Sequence, residues 1–492
     1  MKDLFKYAHH LGFNNPYYFK SDKGLQIDTK FESIISKTSD KKSINPKAIL
    51  AFLNRFYFLA DDTLVNEIMR TPWMGVPDKN KSDWDFNILP KHKKNIKDEK
   101  DVAAKLFDLL CEDLIEYVGE SKSVGILLSG GMDSRMAAGC LDHIIQSKQV
   151  DVERVVAYTW GDKDSRDQIY AKRIADALGW EFKSYGVGAD EMWSNFMIAG
   201  IRGCEYSGIH LHAIPQIAET NDVDIMIAGS YGDSIGRAEY SRVTVDQLKP
   251  IDYKLSNKAG LLDPKVVKES KKLLSKDIDV YHKRFQKPED YMVNEMDRQL
   301  HYMRRMINPC MEVIHEKTPF FQIFTSPKVF GYMWSLDISA RNDKVYYYLL
   351  KHFSDEISEV PWARTGKRFM HNEDTVDINP KEQHSYSDII QLELLDKIYN
   401  YVIDNKDQLS YINISSFKAV IKEIKRFPKH NSEHLEMICW LVSYTKFILT
   451  YQDKLNEKKS FNSAILASKG KLEYRVRTRA RAIIHNLHKL VK

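Results

Sequence analysis

The sequence predicts an α/β fold, a parallel sheet with helices on both faces, plus a helical C-terminal part. Short apolar runs at Val124 to Leu128, Val152 to Thr159, Phe182 to Tyr185 and Asp224 to Ala228 have the length and composition of buried strands. Helical patterns over Asp167 to Leu178 and Ile214 to Glu219 separate them, so consecutive strands have the right-handed crossovers that parallel neighbours need. The first run breaks into Ser129-Gly130-Gly131 and opens helical periodicity at Met132: strand, glycine turn, helix start.

At 492 residues the chain is long enough for two or three domains, and its apolar, aromatic and charged fractions are those of a globular protein. A net charge of +5 does not by itself imply a nucleic-acid partner. Cys111, Cys140, Cys204, Cys310 and Cys439 are odd in number and never in C-x-x-C spacing, which argues against a zinc ribbon or a disulfide framework and for buried thiols. MKDLFKYAHH lacks a signal-peptide core, and the apolar run Met437 to Tyr451 is too short to span and carries Lys446. A cytoplasmic protein without a transmembrane segment is expected.

In chain order, residues 1–95 form a mixed N-terminal region with a helical stretch from Pro46 to Phe58, and the charged run Lys79 to Lys100 reads as a solvated connector. Residues 96–375 hold the sheet, led in by a helix over Asp101 to Val118. Beyond Asn257 the pattern is helical through Lys265 to Lys287 and Tyr291 to Ile314, broken at Thr318-Pro319-Phe320-Phe321 and again at 361–369. Residues 376–492 read as helices ending in a basic tail, with Arg475, Arg477, Arg479 and Arg481 followed by Ile483, Ile484, Leu487 and Leu490. A solvated terminal helix is favoured there over peripheral contact with an anionic membrane or nucleic acid.

Ligands of parallel sheets sit at the carboxyl ends of the strands, which directs attention to 129–134, 159–167 and 229–237. In the first loop, glycines let backbone N–H groups approach a pyrophosphate, Ser129 and Ser134 add hydroxyls, and the helix N-terminus adds positive dipole. Asp133 suits that place if it holds a divalent cation, Mg²⁺ by preference, against the phosphates. An ordinary junction with Asp133 as a helix cap is the alternative, and the complete S-G-G-x-D-S after a buried strand favours Mg-nucleotide. No G-x-x-x-x-G-K-[ST] loop is present, and Gly186-Val187-Gly188 has Glu191 where a dinucleotide fingerprint needs glycine.

The loop Gly229-Ser230-Tyr231-Gly232-Asp233-Ser234-Ile235-Gly236-Arg237 brings a second carboxylate for the metal and an arginine for a phosphate or substrate carboxylate. A surface turn capped by Asp233 is the alternative. Pro361 to Phe369 carries Arg364, Lys367 and Arg368, cations that suit an anionic transition state or, equally, a solvated basic loop.

SGGMDS resembles the PP-loop of the ATP pyrophosphatases. Together with Tyr170-Ala171 to Leu178-Gly179, the Asp233 loop, Thr318-Pro319-Phe320-Phe321, Lys344 and the lysine loop, residues 100–375 resemble the synthetase domain of the asparagine synthetase family. The resemblance implies an ATP-dependent, AMP-forming ligase in which a carboxylate is adenylated and ammonia or an amine forms the amide. On that basis Leu128, Ser129, Gly130, Gly131, Asp133 and Ser134 bind nucleotide, with Gly229, Gly232 and Arg237 beside them. Thr159, Trp160 and Gly161 lie near the adenosine, and Asp133 and Asp233 hold Mg²⁺. Lys367 stabilises the transition state, with Arg364 possible in another register.

Three departures bear on the reaction. Position 2 is Lys2, where the family's glutaminase half has its cysteine nucleophile, and residues 45–90 look like only the tail of that half. Nitrogen is therefore expected from ammonia, an amine substrate or a separate glutaminase. Ser230 stands where the family loop has glutamate, and a serine hydroxyl is too weak a base, leaving Tyr231 or a group elsewhere. Gln322 follows Phe321 where the family motif continues differently, which puts aspartate as substrate in question. A nucleotide-binding pseudoenzyme or scaffold and a PP-loop tRNA-modifying enzyme are the competing readings.

Overall fold

Five parallel strands form the central sheet: β1 (Ser123–Leu127), β2 (Arg154–Trp160), β3 (Glu181–Tyr185), β4 (Ile225–Ala228) and β5 (Phe320–Gln322), in the order β5-β4-β1-β2-β3. The computed structural model describes residues 3–220, 222–380, 384–428, 432–456, 472 and 474–480. Four strands match the predicted runs. β5 replaces a predicted break: Phe320 pairs with Met226 and Gln322 with Ala228. Three residues are too few to show a periodicity, and Pro319 stands just outside, where its missing N–H costs no ladder bond and its carbonyl accepts from Met226 N–H at 2.8 Å.

Alternation along the strands separates two cores. Val124, Ile126, Val155, Ala157, Ile225 and Ile227 pack with α1 (Glu99–Val118), α2 (Met132–Gln146) and α3 (Arg166–Ala177). Leu127, Val156, Tyr158, Met226 and Ala228 pack on the other face with α4 (Ile214–Thr220) and α5 (Asn308–His315). Each valine, leucine, isoleucine and methionine of these sets contributes about 1.5–3 kcal/mol on burial, so the register that puts both sets inward is strongly favoured.

A further core joins an N-terminal helix to helices late in the described residues. The helix Pro46–Arg55 packs with Ala189–Ile201, Pro264–Arg284 and the C-terminal helices Leu395–Asp404, Ile414–Arg426 and Ser432–Tyr451. Phe52 stacks on Trp440 with ring centroids 4.4 Å apart. The predicted Tyr291 to Ile314 helix forms, but it widens to π-helical bonding over Arg298–Ile307, just before Pro309, which has no N–H to give the preceding turn. That segment sends Arg304 and Arg305 inward, to Asp61 at 2.7 Å and Glu205 at 2.7 Å. Arg70 completes the network with Glu205 at 3.1 Å and Glu312 at 2.8 Å.

The charged run after Lys79 is largely exposed, but His92 pins it, stacked on Trp334 and 3.1 Å from Glu295. Glu191 explains why Gly186-Val187-Gly188 is no dinucleotide fingerprint: its carboxylate accepts from Gly188 N–H at 2.9 Å and caps the following helix. All five cysteines are buried free thiols, and no helix among the described residues is long and apolar enough to cross a membrane. In the tail, Arg475 and Arg479 approach Glu423 at 3.9 and 3.4 Å, whereas Arg481 and the apolar residues after it lie outside the described residues.

Candidate active site

The glycine loop 129–134 forms where β1 ends. Ser134 Oγ receives Ser129 N–H at 3.1 Å, and Ser129 Oγ receives Gly131 N–H at 3.2 Å, so the two hydroxyls set the turn. α2 then starts at Met132 with Gly131 as N-cap and no side-chain cap. By contrast α1 is capped by Asp98 and α3 by Ser165. The first-turn N–H groups of α2 have no intrahelical partner, and no side chain caps them.

Gly131, Met132, Asp133 and Ser134 line a cavity of about 330 Å³, closed by Leu128, Trp160, Gly229, Ser230, Asp233, Arg237 and Arg364. The two glycine loops interlock across it. A Cβ on Gly229 would lie 2.4 Å from the Asp133 carbonyl oxygen, and one on Gly232 2.5 Å from Asp133 Cγ, so only glycine allows the approach. Asp233 N–H donates to Asp133 Oδ2 at 2.9 Å, and Tyr346 OH donates to Asp133 Oδ1 at 3.2 Å.

Enclosure, and then the Asp233 carboxylate beside it, push the Asp133 carboxyl well above the usual carboxylate range. Two arginines hold Asp233. Arg237 pairs with its Oδ1 and, at 2.8 Å, with Asp343; Arg364 reaches Oδ2 at 3.2 Å. Burial opposes the charge of Arg237, but Asp133 and Asp233 outweigh it and keep the guanidinium protonated.

The structure brings Arg364, rather than Lys367, to the cavity. Trp362 and Lys367 bridge across a tight turn, which aims Lys367 Nζ at the Asn372 carbonyl at 2.5 Å and Arg364 at the acids. This loop is fastened to the 129–134 loop: Ala363 N–H donates to the Gly130 carbonyl at 3.0 Å, and the Arg135 guanidinium donates to the carbonyls of Val360 and Pro361. Burial drags Arg135 down to about 9. On the AMP-forming reaction that the sequence resemblance implies, Arg364→Ala is expected to cut turnover by about 10²-fold or more and Lys367→Ala by less than about threefold, read as steady-state pyrophosphate release.

Other sequence-predicted residues divide. Trp160 lines the cavity and stacks on His212, whereas Thr159 Oγ1 is buried without a hydrogen-bond partner among the described residues. Gly161 lies behind them, with its carbonyl receiving Gln168 Nε2–H at 2.6 Å. Ser230 faces the cavity, and its N–H donates to Gln322 Oε1 at 3.2 Å. Tyr231 turns the other way and is buried, its hydroxyl 3.0 Å from Asn308 Oδ1 and 3.4 Å from the Leu11 carbonyl. Burial pushes that phenol far up, so it is neither placed nor tuned to take a proton in the cavity.

With a glycine-turn helix start, paired aspartates and Arg237 at the carboxyl edge of a parallel sheet, residues 116–310 match the protein-family model described as asparagine synthase. The chain carries an asparagine synthase-family synthetase domain. No curated protein matches the chain. The matched asparagine synthase span holds β1 to β4 and both glycine loops; β5 and the Arg364 loop follow it in sequence. The family is one of ATP-dependent, amide-forming synthetases. Sequence reasoning missed Tyr346, which reaches Asp133 from a separate helix, Glu239, which holds Arg364 from outside the cavity, and Arg135, which follows the glycine turn and fastens the 360–364 loop.

Proposed function

We propose that the chain is an ATP-dependent, AMP-forming ligase that joins a carboxylate to ammonia or an amine through an acyl-adenylate. The uncapped N-terminus of α2 beside the Asp133–Asp233 pair is the observation that carries this reading. Open N–H groups suit phosphate oxygens. Both arginines sit on Asp233, whereas Asp133 accepts from neutral groups, the Asp233 N–H and the Tyr346 hydroxyl, so a divalent ion beside Asp133 fits the pair. Among the described residues no group of three or more His, Cys, Asp or Glu could hold a metal. Two carboxylates completed by phosphate oxygens and water is the pattern of Mg²⁺ on a nucleotide. When bound, the ion neutralises charge on the departing pyrophosphate.

The residues of the chain then divide the work. The serine hydroxyls and α2 hold the phosphates, Trp160 walls the nucleotide end, and Arg364 stabilises charge as the α–β bond breaks. Fixing both reactants at one sheet edge supplies orientation. Neither Ser230 nor Tyr231 is suited as base, so a nitrogen nucleophile arriving already neutral is favoured, from free ammonia, an amine substrate or a separate glutaminase.

Exchange of labelled pyrophosphate into ATP, with Mg²⁺ and a panel of carboxylic acids that includes aspartate, tests the proposal. Exchange with one acid is expected and names the substrate. ATP binding without exchange for any acid would favour the pseudoenzyme reading instead.

A further inference from the structure

Asp233 carries two arginines, and they are not equivalent. Arg237 is fixed: its side chain is 2% exposed, its second arm is held by Asp343, and its guanidinium lies against the Tyr346 and Trp362 rings. Arg364 is 27% exposed and sits on a loop, with its guanidinium 4.4 Å from the Trp362 ring centroid. Its Nη2 reaches Asp233 Oδ2 at 3.2 Å, while Nη1 donates to Glu239 Oε1 at 3.0 Å, with Oε2 at 3.5 Å. Glu239 itself does not line the cavity; it belongs to the two-stranded hairpin that pairs Glu239 with Thr244.

The arrangement places a guanidinium where the proposed metal ion would need an oxygen. A divalent cation that takes Asp233 Oδ2 on the face Arg364 Nη2 occupies would displace it, and a displaced arginine with no other partner would be a costly free charge in a half-enclosed site. Glu239 removes that cost, because Nη1 keeps its carboxylate while the other edge of the fork turns away. The planar guanidinium allows this: its two edges donate independently.

The geometry points to Glu239 as the pivot on which Arg364 swings from Asp233 to the phosphates when the metal arrives. Glu239 is thus a positioning residue, acting through Arg364, and in the absence of metal Arg364 serves as the counter-ion of Asp233. The inference rests on the metal reading given above.

The test is a double-mutant cycle on metal affinity. Mn²⁺ is titrated into the wild type, Glu239→Gln, Arg364→Gln and the double variant, each saturated with α,β-methylene-ATP. Free Mn²⁺ is read by electron paramagnetic resonance, and folding is checked by circular dichroism. Arg364→Gln is expected to tighten Mn²⁺ binding about fivefold and Glu239→Gln to weaken it about fivefold, with the Glu239 effect shrinking to within about twofold once Arg364 is gone. Equal Glu239 effects with and without Arg364 would mean simple through-space charge and would overturn the pivot while leaving the metal site intact. Wild-type protein that binds no Mn²⁺ beyond the nucleotide's own would overturn both.

Discussion

Replacing Asp133 with asparagine is expected to lower pyrophosphate exchange by about 10³-fold or more while raising the stability of the protein. Activity falls because an amide carries no charge for a cation and leaves Asp233 alone to hold it. Stability rises for the same reason. The Asp133 carboxyl titrates well above its ordinary value of 3.8 in the folded chain, through enclosure first and Asp233 second. A carboxyl raised on folding favours the native state fully below the unfolded value, and that contribution is lost as pH rises toward the folded one. At neutral pH Asp133 is therefore a net cost that asparagine does not carry. The amide still accepts from Asp233 N–H and donates to the Tyr346 hydroxyl. Thermal unfolding from pH 3 to 8 checks the sign: the variant should gain on the wild type as pH climbs, and a lower midpoint at pH 7 would contradict the argument.

Arg70→Ala should have the largest effect on folding, about 3–5 kcal/mol, because it strands buried carboxylates. Glu205 is buried, yet Arg70 and Arg305 hold its carboxyl below the usual range. Burial already raises Glu312 against the pull of Arg70, and its next cation, Arg202, is 3.9 Å away. Arg70 also lies over the Tyr17 ring at 3.8 Å. Denaturant unfolding followed by far-ultraviolet circular dichroism measures the loss. Since Glu312 is next to Met311, which lines the cavity, Arg70→Ala should also weaken nucleotide binding before it unfolds the chain.

The sheet was legible where its strands were long enough to show buried runs and were followed by glycine turns, as at β1 and β4. β5 was not, because three residues after a proline look like a break until Ala228 and Met226 pair with them. The same limit applied inside the site. S-G-G-x-D-S and the Asp233 loop are local patterns, and the structure joins them through a 2.9 Å hydrogen bond. Which cation of 361–369 faces the acids depends on a turn closed by Gly366 at φ +70°, a matter of backbone direction that side-chain chemistry does not encode. The inward and outward fates of Ser230 and Tyr231, adjacent in one loop, were equally hidden.

Tyr231 also ties the site to a distant part of the chain. Asn308, which meets its hydroxyl, donates through Nδ2 to the Phe13 carbonyl at 3.2 Å, and Leu11 N–H donates to the Thr325 carbonyl at 2.9 Å. Residues 11–13 thus brace from behind the loop that presents Asp233, though they touch nothing in the cavity. Loosening of that segment is therefore expected to loosen the loop that carries the second carboxylate as well.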